Sequence, residues 1–263
     1  MPQKGRVVIV TGAGGTGCGR SIALRFAMDG AAVIVSDMDE EGGRNTVRLI
    51  EEDKGRGAFF QADVRDDPQV QQLVSFAETE FGRLDVLVNN ASAPHGDTDI
   101  ESWWDPIETD LLGTIRATRS AIDVMRRGGG GAIVNIASIS ALWHGRTTPG
   151  GLPGYDVAKA GIIRMTTRLA CLAQSDSIRV NCLAPGWIGT DEVQRYWASL
   201  TPEERAERNV PARLLSTHQI AEAVVRLADD TSLSGRILVW WSEDSPRLIP
   251  WGDRGYYGTV DFL

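Results

Sequence analysis

Val7-Val8-Ile9-Val10-Thr11-Gly12-Ala13-Gly14-Gly15-Thr16-Gly17-Cys18-Gly19 is the stretch that decides the fold, together with the segment 21–28 that follows it. Four β-branched residues in succession read as a buried strand. Ile22, Leu24, Phe26 and Ala27 read as the apolar positions of a helix. Between the two, Gly12, Gly14 and Gly17 spell G-x-G-x-x-G in the strand-to-helix setting that a dinucleotide-binding loop requires. Glycine is needed because a pyrophosphate must approach backbone N–H groups closely, at a helix N-terminus whose dipole favours anions. Five glycines within eight positions argue against a plain flexible turn. A triphosphate-binding loop is excluded, since Cys18 stands where it needs lysine. The candidate contacts to the bound dinucleotide are Gly12, Gly14, Thr16, Gly17 and Cys18.

Outward from this loop, short β-branched runs alternate with helix-period segments. Strands are expected at 33–35, 58–61, 86–88, 132–136, 179–181 and 237–239, making about seven with the first. Helices are expected at 41–53, at 70–81 behind an Asp67-Pro68 cap, and at 103–127. Repeated βαβ units require parallel strands with right-handed crossovers and helices on both faces. The expectation is therefore an α/β fold, a single-domain, Rossmann-like, doubly wound parallel sheet. Asp37 ends the second strand 20 residues after Gly17, the separation of a carboxylate that binds the adenosine ribose hydroxyls. A carboxylate there repels a 2′-phosphate, and no lysine or arginine flanks it, so NAD is expected rather than NADP.

Composition narrows the function classes. The 263 residues carry a net charge of −8, which offers no electrostatic footprint for nucleic acid or an anionic membrane. Hydrophobic residues make up 42% and charged residues 24%, the mixture of a chain that folds on its own. Cys18, Cys171 and Cys182 are odd in number and widely spaced, so neither a disulfide framework nor a metal site is indicated. The apolar run 7–10 is too short for a signal-peptide core, and no stretch approaches the roughly 18 apolar residues of a spanning helix. A soluble, cytoplasmic protein is expected.

Tyr155-Asp156-Val157-Ala158-Lys159 places a phenol and an ammonium on one helix face. A free tyrosine is only about one part in a thousand ionised at pH 7, so a phenol acting as general base needs a cation nearby. At roughly 4 Å and an effective dielectric near 20, one positive charge contributes about 4 kcal/mol. Alone, such a pair reads as a surface contact; its company changes that reading.

Thr11-Gly12 with the glycine cluster, Asp63-Val64, Asn89-Asn90-Ala91-Ser92, Ser138, Tyr155 with Lys159, and Pro185-Gly186 followed by Ile188 and Thr190 occur in this order. In this the chain resembles the short-chain dehydrogenase/reductase family over about residues 5 to 239. The resemblance implies that Asp63 and Val64 hold the adenine. It implies that the segment of Asn89 and Ala91 serves the adenosine side and the sheet backbone. Ile188 and Thr190 would meet the nicotinamide carboxamide. Lys159 would bind the nicotinamide ribose and favour the ionised phenol of Tyr155. Tyr155 would then exchange a proton with the substrate oxygen while Ser138, or Ser140 in its place, polarises it. Hydride would pass between the carbinol carbon and the nicotinamide of a secondary alcohol or ketone. A rival reading is a cofactor-sensing protein that keeps the fold and turns over little.

Two departures from the family pattern stand out. Gly12 to Gly17 encloses four residues where the family has three. Asp110 occupies the position at which the family usually carries the asparagine of its active site, so Asp110 is added to the catalytic candidates as a charge that would keep Lys159 cationic.

Trp143, His144 and Trp187 are the candidate substrate contacts, which suits a cyclic or otherwise bulky substrate; core packing is the competing reading for the tryptophans. Residues 189–210 read as a helical lid, and 240–263 as an atypical tail. The resemblance implies a homotetramer or homodimer joined through the two long helices.

Overall fold

A computed structural model describes residues 3–94, 101–143, 153–242 and 244–253. Its first half runs β1 (Val7–Thr11), α1 (Cys18–Met28), β2 (Ala32–Asp37), α2 (Glu40–Glu52), β3 (Arg56–Gln61), α3 (Asp67–Phe81) and β4 (Val86–Asn89). There follow α4 (Trp104–Pro106), a π-helical stretch Ile107–Leu112, α5 (Gly113–Gly128), β5 (Gly131–Ile136), α6 (Pro153–Arg168), α7 (Leu172–Ser175) and β6 (Ile178–Pro185). The chain ends its described course with α8 (Asp191–Ala198), α9 (Pro202–Glu207), α10 (Thr217–Asp229), β7 (Ile237–Trp240) and β8 (Arg247–Leu248).

The strands form one sheet in the order β3-β2-β1-β4-β5-β6-β7-β8. All pairings are parallel except the last, where β8 lies antiparallel on β7 and covers that edge. β8 is a correction to the seven expected strands; two residues show no alternation for a sequence reading to detect.

Side chains along each strand alternate between two apolar layers, as the pleat demands. Val8 and Val10 of β1 and Val33 and Val35 of β2 pack with Ile22 and Phe26 of α1 and Ile220 and Val224 of α10. Val7 and Ile9, with Ile34, Leu87 and Ile133, pack instead with Val70 and Leu73 of α3 and Ala117 and Ala121 of α5. Helices on both faces account for the continuous β-branched runs of the central strands. β1 and β4 are neighbours, and the strand order reverses between them, so the crevice for a ligand opens at their carboxyl ends.

The helix expected at 103–127 is a succession of turns whose stretch Ile107–Leu112 is π-helical, directly after Pro106. Proline lacks the N–H that an α-helical ladder uses, and a widened turn often marks a functional site. α3 is capped by Asp66, which accepts from Gln69 N, with Asp67 and Pro68 already in the first turn rather than serving as the cap. α10 carries a capping box of Ser216 and Gln219, a sequence signal the strand-centred reading passes over. Within 189–210 lie α8 and α9, consistent with a helical segment there. No described helix is long and apolar enough to cross a membrane.

Candidate active site

The glycine loop is held by its neighbours before any ligand arrives. Gly12 has φ of +66°, a conformation that favours glycine, and a Cβ on it would lie 2.6 Å from Ala91 Cα. A Cβ on Gly19 would collide with the carbonyl oxygen of Gly12. Asn90 clamps the loop to β4, its Nδ2 donating to the carbonyls of Thr11 at 2.9 Å and Gly12 at 3.0 Å. Thr11 Oγ1 in turn accepts from the backbone N–H of Asn90 and of Ala91. Arg20 ties the loop to α2, donating to Gly14 O at 2.7 Å and to Thr46 Oγ1 at 2.9 Å. Asn90 and Arg20 are support residues that the motif reading does not single out.

Gly17 caps α1 without a side-chain hydrogen bond, which leaves the first amides of that helix for an anion. Asp37 sits beside the loop. Its Oδ2 accepts from Gly14 N at 2.7 Å and its Oδ1 from Asp39 N at 3.0 Å, and each oxygen keeps a lone pair for a hydroxyl. Thr16 Oγ1 donates to Asp191 Oδ2 at 2.9 Å, so the loop faces the start of α8. Thr190, the N-cap of α8, places its methyl 3.8 Å from where a Cβ of Gly17 would be, and Ile188 pairs with Leu215. These residues fit a dinucleotide: a side-chain-free cradle, an uncapped helix end, and a carboxylate at the end of β2.

Other expected contacts have partners within the protein. Cys18 is half-buried against the α1–α10 layer, and burial pushes its thiol up to about 12, so it presents no thiolate. Asp63 binds Arg65, whose hydrogen bonds hold the carboxyl below the usual range despite partial burial. Val64 packs where a Cβ on Gly113 would touch it. Asn89 turns inward, donating to Asn135 Oδ1 at 2.8 Å and Thr118 Oγ1 at 3.0 Å. Asn135 passes the network on to Thr166 of α6.

On the other side of the crevice, three of the catalytic candidates, Tyr155, Lys159 and Asp110, come together. Lys159 of α6 is buried, and its Nζ lies 5.3 Å from the Tyr155 ring centroid. The same Nζ donates to Ile136 O at 3.1 Å and pairs with Asp110 Oδ2 at 2.9 Å. Asp110 is fully buried at 0% exposure; its carboxylate also accepts from Ser92 Oγ at 2.6 Å and Ala93 N at 2.8 Å. Burial disfavours the lysine's charge, but the Asp110 carboxylate, Tyr155 and the hydrogen bond to Asp110 outweigh it and hold the ammonium above its ordinary pKa. Cys182, also buried nearby, is pushed up to about 12, so it stays neutral. The pi-helical stretch carries Asp110 into this position. Ser92, which completes the set, belongs to the 89–92 motif, whose pattern assigns its side chain no role.

Ser138 follows β5 and caps the short turn Ile139–Leu142. Its Oγ accepts from Ser140 N at 3.2 Å and shares a hydrogen bond with Ser140 Oγ at 3.0 Å, so both hydroxyls stand together after the end of β5. Against the turn that Ser138 caps lies a cavity of about 470 Å³. Ile139, Leu142 and Trp143 form one wall, Asn209 and Val210 a second, and Val239 and Trp241 a third. The rings of Trp143 and Trp241 are 5.6 Å apart between centroids. Trp187 stacks instead on Tyr196 of α8, and His144 lies outside the described residues, as do most of the loop 147–154 and the tail from 254. Sequence pattern gives no sign of Trp241 as a contact, because the end of β7 is what brings it there. Among the described residues no cluster of His, Cys, Asp and Glu is arranged to hold a metal ion.

Comparison with known proteins agrees with this architecture. A family model described as enoyl-(acyl carrier protein) reductase matches residues 12–239. The chain is 36% identical to 3beta-hydroxysteroid dehydrogenase 1 of Eggerthella lenta, over 86% of this chain and 88% of that one. It is 35% identical to cis-4-hydroxycyclohexanecarboxylate dehydrogenase of Sinomonas cyclohexanicum, over 86% and 90%. A solved 7 alpha-hydroxysteroid dehydrogenase, complexed with NADH and 7-oxo glycochenodeoxycholic acid, superposes with a TM-score of 0.78 at 28% identity, covering 90% of this chain and 93% of that one. These relatives are dehydrogenases of hydroxy compounds, and they do not favour the cofactor-sensing rival. With the glycine loop, the Tyr155–Lys159 face and the sheet order in agreement, the chain is an oxidoreductase and belongs to the short-chain dehydrogenase/reductase family.

Proposed function

We propose that the protein is an NAD-dependent dehydrogenase that interconverts a secondary alcohol and its ketone, with Tyr155 as the general acid and base. The observation that carries this reading is the buried ammonium of Lys159, 5.3 Å from the Tyr155 ring centroid and held by Asp110. When bound, the nicotinamide supplies or accepts the hydride. Tyr155 takes the hydroxyl proton in oxidation and returns one in reduction, and the adjacent cation stabilises its phenolate. Ser138, oriented by Ser140, donates to the substrate oxygen. Lys159 stays charged throughout, because Asp110 compensates its burial.

Gly12, Gly14, Thr16, Gly17 and the amide of Cys18 would hold the pyrophosphate, and Asp37 the adenosine ribose. Asp63 and Val64 would line the adenine, Asn89 and Ala91 would shape the adenosine side, and Ile188 and Thr190 would face the carboxamide. Residues 189–210 would act as the lid. The carboxylate of Asp37 leads to a direct expectation: NAD is preferred to NADP by about 100-fold in kcat/KM, since a phosphate would sit against an anion. Asp37→Asn should narrow the ratio at least tenfold. Paired assays with the two cofactors, following reduced-nicotinamide absorbance over a panel of alcohols and ketones, test both the activity and the preference. A ratio near one in the wild type would reject NAD, and no turnover anywhere in the panel would reject the dehydrogenase.

We infer also that the chain assembles as a homodimer or homotetramer through its two long helical elements. Trp104 at 65% exposure, Ile115 at 39% and Val157 at 57% are apolar and outward on elements that pack together. Light scattering after gel filtration should show an oligomer, and Ile115→Glu with Val157→Glu should shift it to monomer. A wild-type monomer would end this reading.

A further inference from the structure

The geometry points to Trp241, acting with Trp143, as the residue that selects a rigid, uncharged ring system as the substrate; this rests on the dehydrogenase reading and specifies the same site. Trp241 lies just past residue 239, where the family match ends, so this indole, unlike its neighbour Val239, comes from outside the matched region. The two indoles meet at 44°, a tilted pair that leaves an angular aromatic wall within the cavity against the turn that Ser138 caps. Room for Trp241 is made by Gly186, where a Cβ would lie 3.0 Å from the indole Cε3.

The chemistry of the wall sets the ligand. At about 470 Å³ the cavity falls within the range of small-molecule sites. The described residues lining it carry no charge, and Asn209 supplies their one amide side chain. A carboxylate or phosphate entering it would lose its hydration without gaining a counter-ion from them. A rigid ring gains contact with both indoles and has little conformational freedom to lose, whereas a linear chain must be ordered to fill the same space. The asparagine amide suits one distant hydroxyl or keto group on such a ring.

The test compares kcat/KM for a bicyclic tetralol, a linear secondary alcohol of equal carbon count, and a carboxylated tetralol, in the wild type, Trp241→Ala and Trp241→Phe. Calorimetric binding of the matching tetralone is measured alongside. The wild type should favour tetralol over both comparators by about tenfold or more. Trp241→Ala should lose most of the preference over the linear alcohol, and Trp241→Phe should restore it. A wild-type preference for the linear or carboxylated alcohol, or an unchanged ratio in Trp241→Ala, overturns the assignment. If no alcohol turns over but tetralone binding still depends on Trp241, the assignment stands and the dehydrogenase reading falls. Absence of both turnover and tetralone binding overturns the assignment itself.

Discussion

Tyr155→Phe should lower kcat/KM for alcohol oxidation by about 10²–10⁴-fold, the contribution of a positioned general base. The substitution deletes one oxygen from a half-buried ring and leaves Lys159, Asp110 and the helix around them in place. Binding of NAD, followed by calorimetry, should therefore persist while the chemical step fails. The loss should be similar in the direction of ketone reduction, because the same phenol must return the proton. Rates within tenfold of the wild type in both directions would remove Tyr155 from the chemistry. Ser138→Ala should cost less, since Ser140 stands 3.0 Å from the missing hydroxyl and retains a donor there.

Much of the fold can be read from local pattern, because the determinants are local. Val7 to Val10 alternate between the two layers by the pleat alone, and the glycine pattern between β1 and α1 is legible within thirteen residues, although Asn90 and Asp37 help to hold the loop. The Tyr155–Lys159 pair is equally local, set by one turn of α6. The parts that escape the reading depend on distant contacts. Asn89 lies in the family motif, yet its side chain is turned into the sheet by Asn135 and Thr118, on elements far along the chain. Trp187 sits next to the Pro185-Gly186 turn, but its stacking on Tyr196 is decided by where α8 packs. Trp241 reaches the cavity only through the pairing of β7 with β6. Asp110 is the intermediate case: its charge is plain in the sequence, whereas its complete burial and its bond to Ser92 depend on the π-helical turn that follows Pro106.

Asp110→Ala should destabilise the protein by about 3–5 kcal/mol, because it leaves a buried ammonium without its counter-charge. Among the described residues, the Ile136 carbonyl and the Tyr155 ring would remain near Lys159 Nζ. For a chain of this size the unfolding midpoint should fall on the order of 10 °C. Asp110→Asn lacks the counter-charge too but keeps an acceptor for Ala93 N or Lys159, so it should lose less than Asp110→Ala. The sign with pH follows from the lysine, whose folded pKa is raised by Asp110 against the opposing effect of burial. Its contribution is complete below the unfolded value of about 10.4 and is lost only as pH rises through the higher folded value. The wild-type contribution should thus hold from neutral pH to about pH 10 and fall above it, whereas the gap to Asp110→Ala should already narrow as pH rises, because burial without a counter-charge lets that variant's lysine shed its proton at lower pH. Catalysis gives the second readout. The titratable groups acting on Lys159 are Asp110, Tyr155 and Cys182, and Cys182 stays neutral. Asp110→Asn removes the anion that offsets the ammonium, so phenolate formation at Tyr155 becomes easier. The rising limb of the pH–rate profile for alcohol oxidation should move to lower pH by about one unit. A limb that stays in place or moves upward, or an Asp110→Ala protein as stable as the wild type, would show that this carboxylate does not govern the charge on Lys159.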